Sequence, residues 1–118
     1  PVANYQMATR QEGGRLVYVS GQVAWDAEGN IVGRGDIRAQ ARQVFHKLRQ
    51  VLQEAGGDLQ DLLKITTYVT RIDEYPAVVE VRGEFFSGEL PASTLIVVEG
   101  LFHADFLLEV EGMAAIGA

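Results

Sequence analysis

The chain has 118 residues, 47% hydrophobic and 22% charged, which is ordinary usage for one globular domain spanning 1–118 and excludes disorder as its main state. Ten Lys and Arg against sixteen Asp and Glu leave a net charge of −6, a poor match for a phosphate backbone, so no nucleic-acid partner is expected. The absence of Cys excludes disulfides and thiol chemistry; no apolar run approaches the ~20 residues of a membrane span and no charged-then-apolar leader opens the chain, so a cytoplasmic protein without a membrane partner is expected.

Residues 15–20 (Arg-Leu-Val-Tyr-Val-Ser) are β-branched and aromatic and follow Gly13-Gly14, which predicts a strand after a tight turn. Residues 5–10 are expected to pair with it as a hairpin. Gln22-Val23-Ala24-Trp25 continues or bends from the strand, and Asp26 to Asn30 is turn chemistry. Residues 36–55 carry apolar side chains at Ile37, Ala41, Val44, Phe45, Leu48, Val51, Leu52 and Ala55, one stripe of an amphipathic helix. Asp36 is suited to cap it and Gly56-Gly57 to end it. Arg38, Arg42, Lys47, Arg49 and Glu54 are expected on a solvated face. Residues 62–71 alternate and are β-branched, a strand. Residues 73–87 predict a shorter helix capped by Asp73, with Pro76 in its first turn and Gly88 at its end. Residues 93–99 and 105–116 predict two more strands. In the last, Phe106, Leu108 and Val110 point one way, and Leu107, Glu109, Glu111 and Met113 the other.

This order implies an α+β two-layer sandwich, a mixed sheet with two helices burying their stripes on one face. The other sheet face keeps apolar residues with no helix left to cover them, so an oligomer is expected.

Several stretches together resemble one family. They are Ser20-Gly21-Gln22 after a strand, Gln40 in a long helix ending Val51-Leu52-Gln53-Glu54-Ala55-Gly56, Lys64-Ile65-Thr66-Thr67-Tyr68-Val69, Phe85-Phe86, Pro91-Ala92 and Glu109-Val110-Glu111. Each is weak alone; in this order and spacing they resemble the RidA/YjgF family of enamine/imine deaminases from about Tyr5 to Ala115. The resemblance implies a chorismate-mutase-like fold, a homotrimer with small-molecule clefts between subunits, and hydrolysis of 2-imino or 2-enamino acids to 2-keto acids and ammonia without metal or organic cofactor. Carried over by position, the catalytic carboxylate that holds water is Glu109, and Tyr5, Ser20 and Gly21 contact substrate. Glu111 is expected to be structural or at a subunit contact.

Three positions depart from the family pattern. Where the family clamps a carboxylate with Arg after Pro-Ala, this chain has Ser93. The Asn of the second helix is Val79, and the small or thiol-bearing residue two places after the Arg is Leu95. A guanidinium makes two parallel charge-assisted bonds to a carboxylate, each contributing about 1.5–3 kcal/mol against roughly 1 for a neutral donor. A less cationic, more apolar cleft follows, and a reaction other than standard 2-imino acid hydrolysis. Arg82, on nearly the helix face of Val79, could replace the missing anchor; the plainer expectation is a solvated helix arginine.

Other readings are weaker on these residues. A Ser–His–acid set at Ser93 needs a base, and only His46 and His103 exist, neither placed beside it. No metal-ligand spacing occurs. Pro1 as a tautomerase base lacks the helix expected after it. Gly33-Arg34-Gly35 is a turn rather than a phosphate cradle. Besides the deaminase, a non-catalytic ligand-binding or regulatory trimer remains, and a ribonuclease, which the negative charge opposes.

Overall fold

The longest element is set by its own cap. In the computed structural model, which describes residues 5–117, the extended Asp36 accepts through its carboxylate from the backbone N–H groups of Arg38 and Ala39 and opens α1 (Ile37–Glu54). The helix buries Gln40, Ala41, Val44, Phe45, Leu48 and Leu52, the predicted stripe with a glutamine added. It stops where Gly56 adopts φ +93°, a conformation open to glycine.

Four strands, β1 (Arg15–Gln22), β2 (Leu62–Val69), β3 (Ala92–Val97) and β4 (Leu108–Ile116), form one sheet in the order β1-β4-β2-β3. β4 runs antiparallel to β1 and β2, while β2 and β3 are parallel. A parallel pair needs a crossover, and α2 (Tyr75–Phe85) supplies it. Val19, Ile65, Val69, Leu108, Val110 and Ala114 share one core with Val44, Phe45, Leu48, Leu52, Val78 and Val81. Both helices therefore cover the same sheet face, the α+β arrangement expected. On the other face Leu16, Tyr18, Ile96 and Met113 are exposed.

The predicted hairpin of residues 5–10 with β1 does not form. Gly13 and Gly14 both take φ near +80°, and the chain before them crosses to the far side of the sheet. There Gln6 bridges in parallel to Ala92 and donates its N–H to the Pro91 carbonyl, while the Thr9 hydroxyl donates to the Leu63 carbonyl. Asp73 does not cap α2. A 3₁₀ turn, Ile72–Glu74, leads into the helix, Glu74 makes no side-chain cap bond, and Asp73 pairs with Arg71. The basic face of α1 is not simply solvated: Arg38 and Arg42 pair with Glu80 and Glu84 of α2, and Arg49 with Asp58. The two half-exposed pairs between α1 and α2 set the helix–helix register more than they stabilise it.

Gln40, fully buried, explains why β4 begins at Leu108 rather than at residue 105. Its amide donates to the carbonyls of Gly33 (3.1 Å) and Asp105 (2.8 Å) and accepts from the Leu107 N–H (2.9 Å). The Asp105 and Leu107 groups are thereby drawn from the ladder to the helix. Gln40→Leu strands them in the interior at about 1–3 kcal/mol per unpaired group. Urea unfolding should show a loss of about 3 kcal/mol; a loss under about 1 kcal/mol would mean water replaces the amide.

Candidate functional site

β1 and β4 do not pair evenly. Val19 faces Gly112 and Gln22 faces Val110, so β1 carries one extra residue at Ser20-Gly21, a bulge that locally re-aims the strand. Alternation along β4 turns Glu109 and Glu111 away from the helices. Glu109 then lies against the bulge so closely that a Cβ on Gly21 would sit 1.8 Å from its Oε2. Here the glycine is required by close approach rather than by a special backbone angle.

Glu109 lines a shallow concavity of about 240 Å³ with Gly21, Val23, Trp25 and Phe102. Burial, and then the negative charge of Glu111, push its carboxyl above the ordinary value of 4.5. Glu111 is engaged differently: the Tyr68 hydroxyl donates to its Oε1 at 2.8 Å. That bond, with burial, raises the phenol, so Tyr68 stays a donor. The two acids share a face, but one is tied to a phenol and the other faces an apolar hollow.

The remaining predicted residues gather elsewhere. Ser93 pairs with Ile65 in the β2–β3 register and so faces the helix layer. There the Arg82 Nη1 approaches its Oγ at 3.3 Å and the Tyr75 hydroxyl at 3.1 Å. Arg82 is not the solvated helix arginine of the plainer expectation: it is fully buried. It sits a turn of α2 beyond the last buried residue of the preceding stripe, Val78, so helical spacing carries it inward with Val81. Leu95 packs against the core from β3, and Val79 is half-buried on α2. Tyr5, half-buried, immediately precedes the Gln6 bridge and so approaches the start of β3. Ser20 is exposed, its carbonyl accepting from the Gln22 side-chain amide. Pro1 lies outside the described residues. His46 is exposed on α1, and His103 accepts from the Asp105 N–H in the loop before β4. Among the described residues no three His, Asp or Glu gather as a metal site.

A sequence model of the family described as endoribonuclease L-PSP matches residues 1–116. The chain belongs to this family, that of the RidA/YjgF proteins. A RutC family protein of Pyrococcus abyssi (strain GE5 / Orsay) is 32% identical over 114 residues, 97% of this chain and 87% of its own. A solved structure of a conserved Rid-family protein of unknown function from Yersinia pestis superposes with a TM-score of 0.89 at 31% identity, covering 96% of this chain and 87% of its own. RidA from an Antarctic Psychrobacter gives 0.81 at 30% identity, over 98% and 91%.

In this RidA-family chain the predicted site thus falls into two groups. Gly21 and Glu109 meet on the open sheet face, while Ser93, Leu95 and Arg82 lie on the helix side. Trp25, Phe102 and Tyr68 were not among the expected site residues. The only signal for the first two is that they are large aromatics in connecting segments rather than in the periodic core. Tyr68 needs the strand register, which brings β2 beside β4.

Proposed function

We propose that this chain is a RidA-like deaminase or hydrolase of a small imine, enamine or related compound, working in clefts between the subunits of a homotrimer. The observation that carries the reading is Glu109: a carboxyl with raised proton affinity, lodged against Gly21 in an apolar hollow, while the neighbouring Tyr68 hydroxyl donates to Glu111 instead. Raised affinity moves a carboxylate toward the working pH of a general base. Glu109 takes a proton from water as the water oxygen bonds to the imine carbon. That proton passes to nitrogen to give a carbinolamine; the carboxylate then takes the carbinolamine hydroxyl proton and returns it to nitrogen as the C=O forms and the C–N bond breaks, leaving a carbonyl compound and ammonia. The reading calls on no metal or organic cofactor.

The homotrimer is supported by family membership and by the exposed apolar residues of the open face. Light scattering at micromolar concentration should give three chain masses; a monomer sinks it. The ribonuclease named in the family's description is opposed by the net charge of −6 and by two carboxylates on the open face.

Carboxylate recognition is the weak point of the standard reaction in this chain. Ser93 offers one neutral hydroxyl, and Arg82, its neighbour, has no exposed surface. We expect ammonia release from 2-iminopropionate at least ~10-fold below that of relatives with Arg at this position. Ordinary activity would overturn the expectation. Its loss in Arg82→Ala, with folding intact, would then identify Arg82 as the anchor. Absence of turnover across uncharged and aromatic imines, with ligand binding retained, would favour the regulatory trimer.

A further inference from the structure

Two aromatic rings stand beside Glu109, and the proposed reaction does not use them. Trp25 and Phe102 meet edge to face, centroids 5.9 Å apart at 76°, and both line the hollow with Gly21, Val23 and Glu109. Phe102 is 79% exposed. A lone exposed ring needs no explanation; this one has a second ring and a partly desolvated carboxylate next to it.

Trp25 is held from behind by the helix layer. Gln43 and Lys47, one turn apart on α1, donate to the carbonyls of Trp25 (2.9 Å) and Val23 (3.1 Å). Lys47 Nζ stands 5.3 Å from the centre of the Trp25 ring. The buried Phe106 meets that ring edge to face at 5.8 Å. The segment folds back on itself where Trp25 bridges Ile31, and the Asp26 carboxylate accepts from the N–H groups of Glu28 and Asn30. The indole is therefore a wall fixed by the core, so a ligand need not order it on binding. Apart from Glu109 and the indole N–H, no lining side chain has a polar atom.

We infer that Trp25 and Phe102 form a subsite for the body of the ligand, and that this ligand carries a cationic C–N nitrogen on a flat aromatic group. The inference rests on the reading of Glu109 as ligand-facing and adds the substrate class. The nitrogen pairs with the Glu109 carboxylate. The attached ring covers Phe102 and the free part of Trp25, whose electron-rich faces also favour nearby positive charge. A methyl-bodied compound leaves both rings in water.

Trp25 is the only tryptophan in the chain, so its emission reports on the subsite without a label. Benzamidine and acetamidine present the same stable amidinium on a phenyl and on a methyl group. Benzamidine should change the emission saturably and bind at least ~10-fold more tightly than acetamidine, in keeping with the larger apolar surface it buries. Phe102→Ala, at an exposed position that does not endanger folding, should weaken benzamidine by about 10-fold and leave acetamidine unchanged. Glu109→Gln should weaken both. A linear, collisional response, equal affinities, or indifference to Phe102→Ala overturns the subsite. Failure of the two readings is distinguishable. Saturable binding that depends on Phe102, without turnover of any imine, removes catalysis and keeps the subsite. Turnover that depends on Glu109 but not on the ligand's body removes the subsite and keeps catalysis.

Discussion

Glu109→Gln should lower turnover by about 10²–10⁴-fold while leaving the fold and assembly intact. The amide fills the same space against Gly21 but cannot take a proton. Glu111→Gln should change turnover little, because a Gln oxygen still accepts from the Tyr68 hydroxyl. Equal, small effects from the two variants would remove Glu109 from the site. A second readout separates function from folding. The folded chain holds the Glu109 proton more tightly than an unfolded one, since burial and Glu111 both disfavour the charge. Stability from this group is therefore fully present below the ordinary Glu range and is lost as pH rises through the raised value. Glu109→Gln escapes that loss. Thermal melts should find the variant more stable than the parent at neutral pH, with the gap narrowing toward pH 4. A gap that widens toward acid would contradict the raised carboxyl. A variant less active yet more stable at neutral pH is the signature of a carboxylate retained for chemistry.

Gly21→Ala should cost about 10²-fold in turnover with only a small change in melting temperature. The added Cβ would lie 1.8 Å from Glu109 Oε2, 2.6 Å from Cδ and 2.9 Å from Cγ. All three atoms belong to the end of a flexible side chain, so the carboxylate swings away while the strand stays. Displacement by an ångström is enough to lose orders of magnitude when a catalytic group must meet water and substrate in one geometry. In a Glu109→Ala background those atoms are gone, and Gly21→Ala should then cost nothing more. The double-mutant cycle reads the coupling directly. Wild-type turnover in Gly21→Ala would show that Glu109 works from another rotamer.

How much of this was legible in the residues follows from the range of the forces involved. α1 is announced by signals that act within a few residues: the Asp36 cap, the apolar stripe from Ile37 to Leu52 and the glycine at residue 56. The alternation that turns Glu109 and Glu111 from the core is likewise a property of any strand. Residues 5–10 carry a weaker local pattern, and two glycines at φ near +80° send them across the sheet instead of back along β1. Asp73 has the chemistry of a cap, but Arg71 competes for it.

The residues of this protein by themselves determine two helices, the four strands of the sheet (with a fifth, 5–10, that does not form), their two-layer packing and a pair of acids on the uncovered face, because propensity and periodicity are local. Only the tertiary structure decides what surrounds each acid. The bulge at Ser20-Gly21 brings Gly21, Trp25 and Phe102 to Glu109, and the β2–β4 register sets Tyr68 opposite Glu109, from where its hydroxyl reaches Glu111 on the diagonal. The burial of Arg82 beside Ser93 is decided in the same way. Each of these joins residues far apart in the chain, and the proton affinity of a carboxylate depends on what surrounds it in space, which no local pattern encodes.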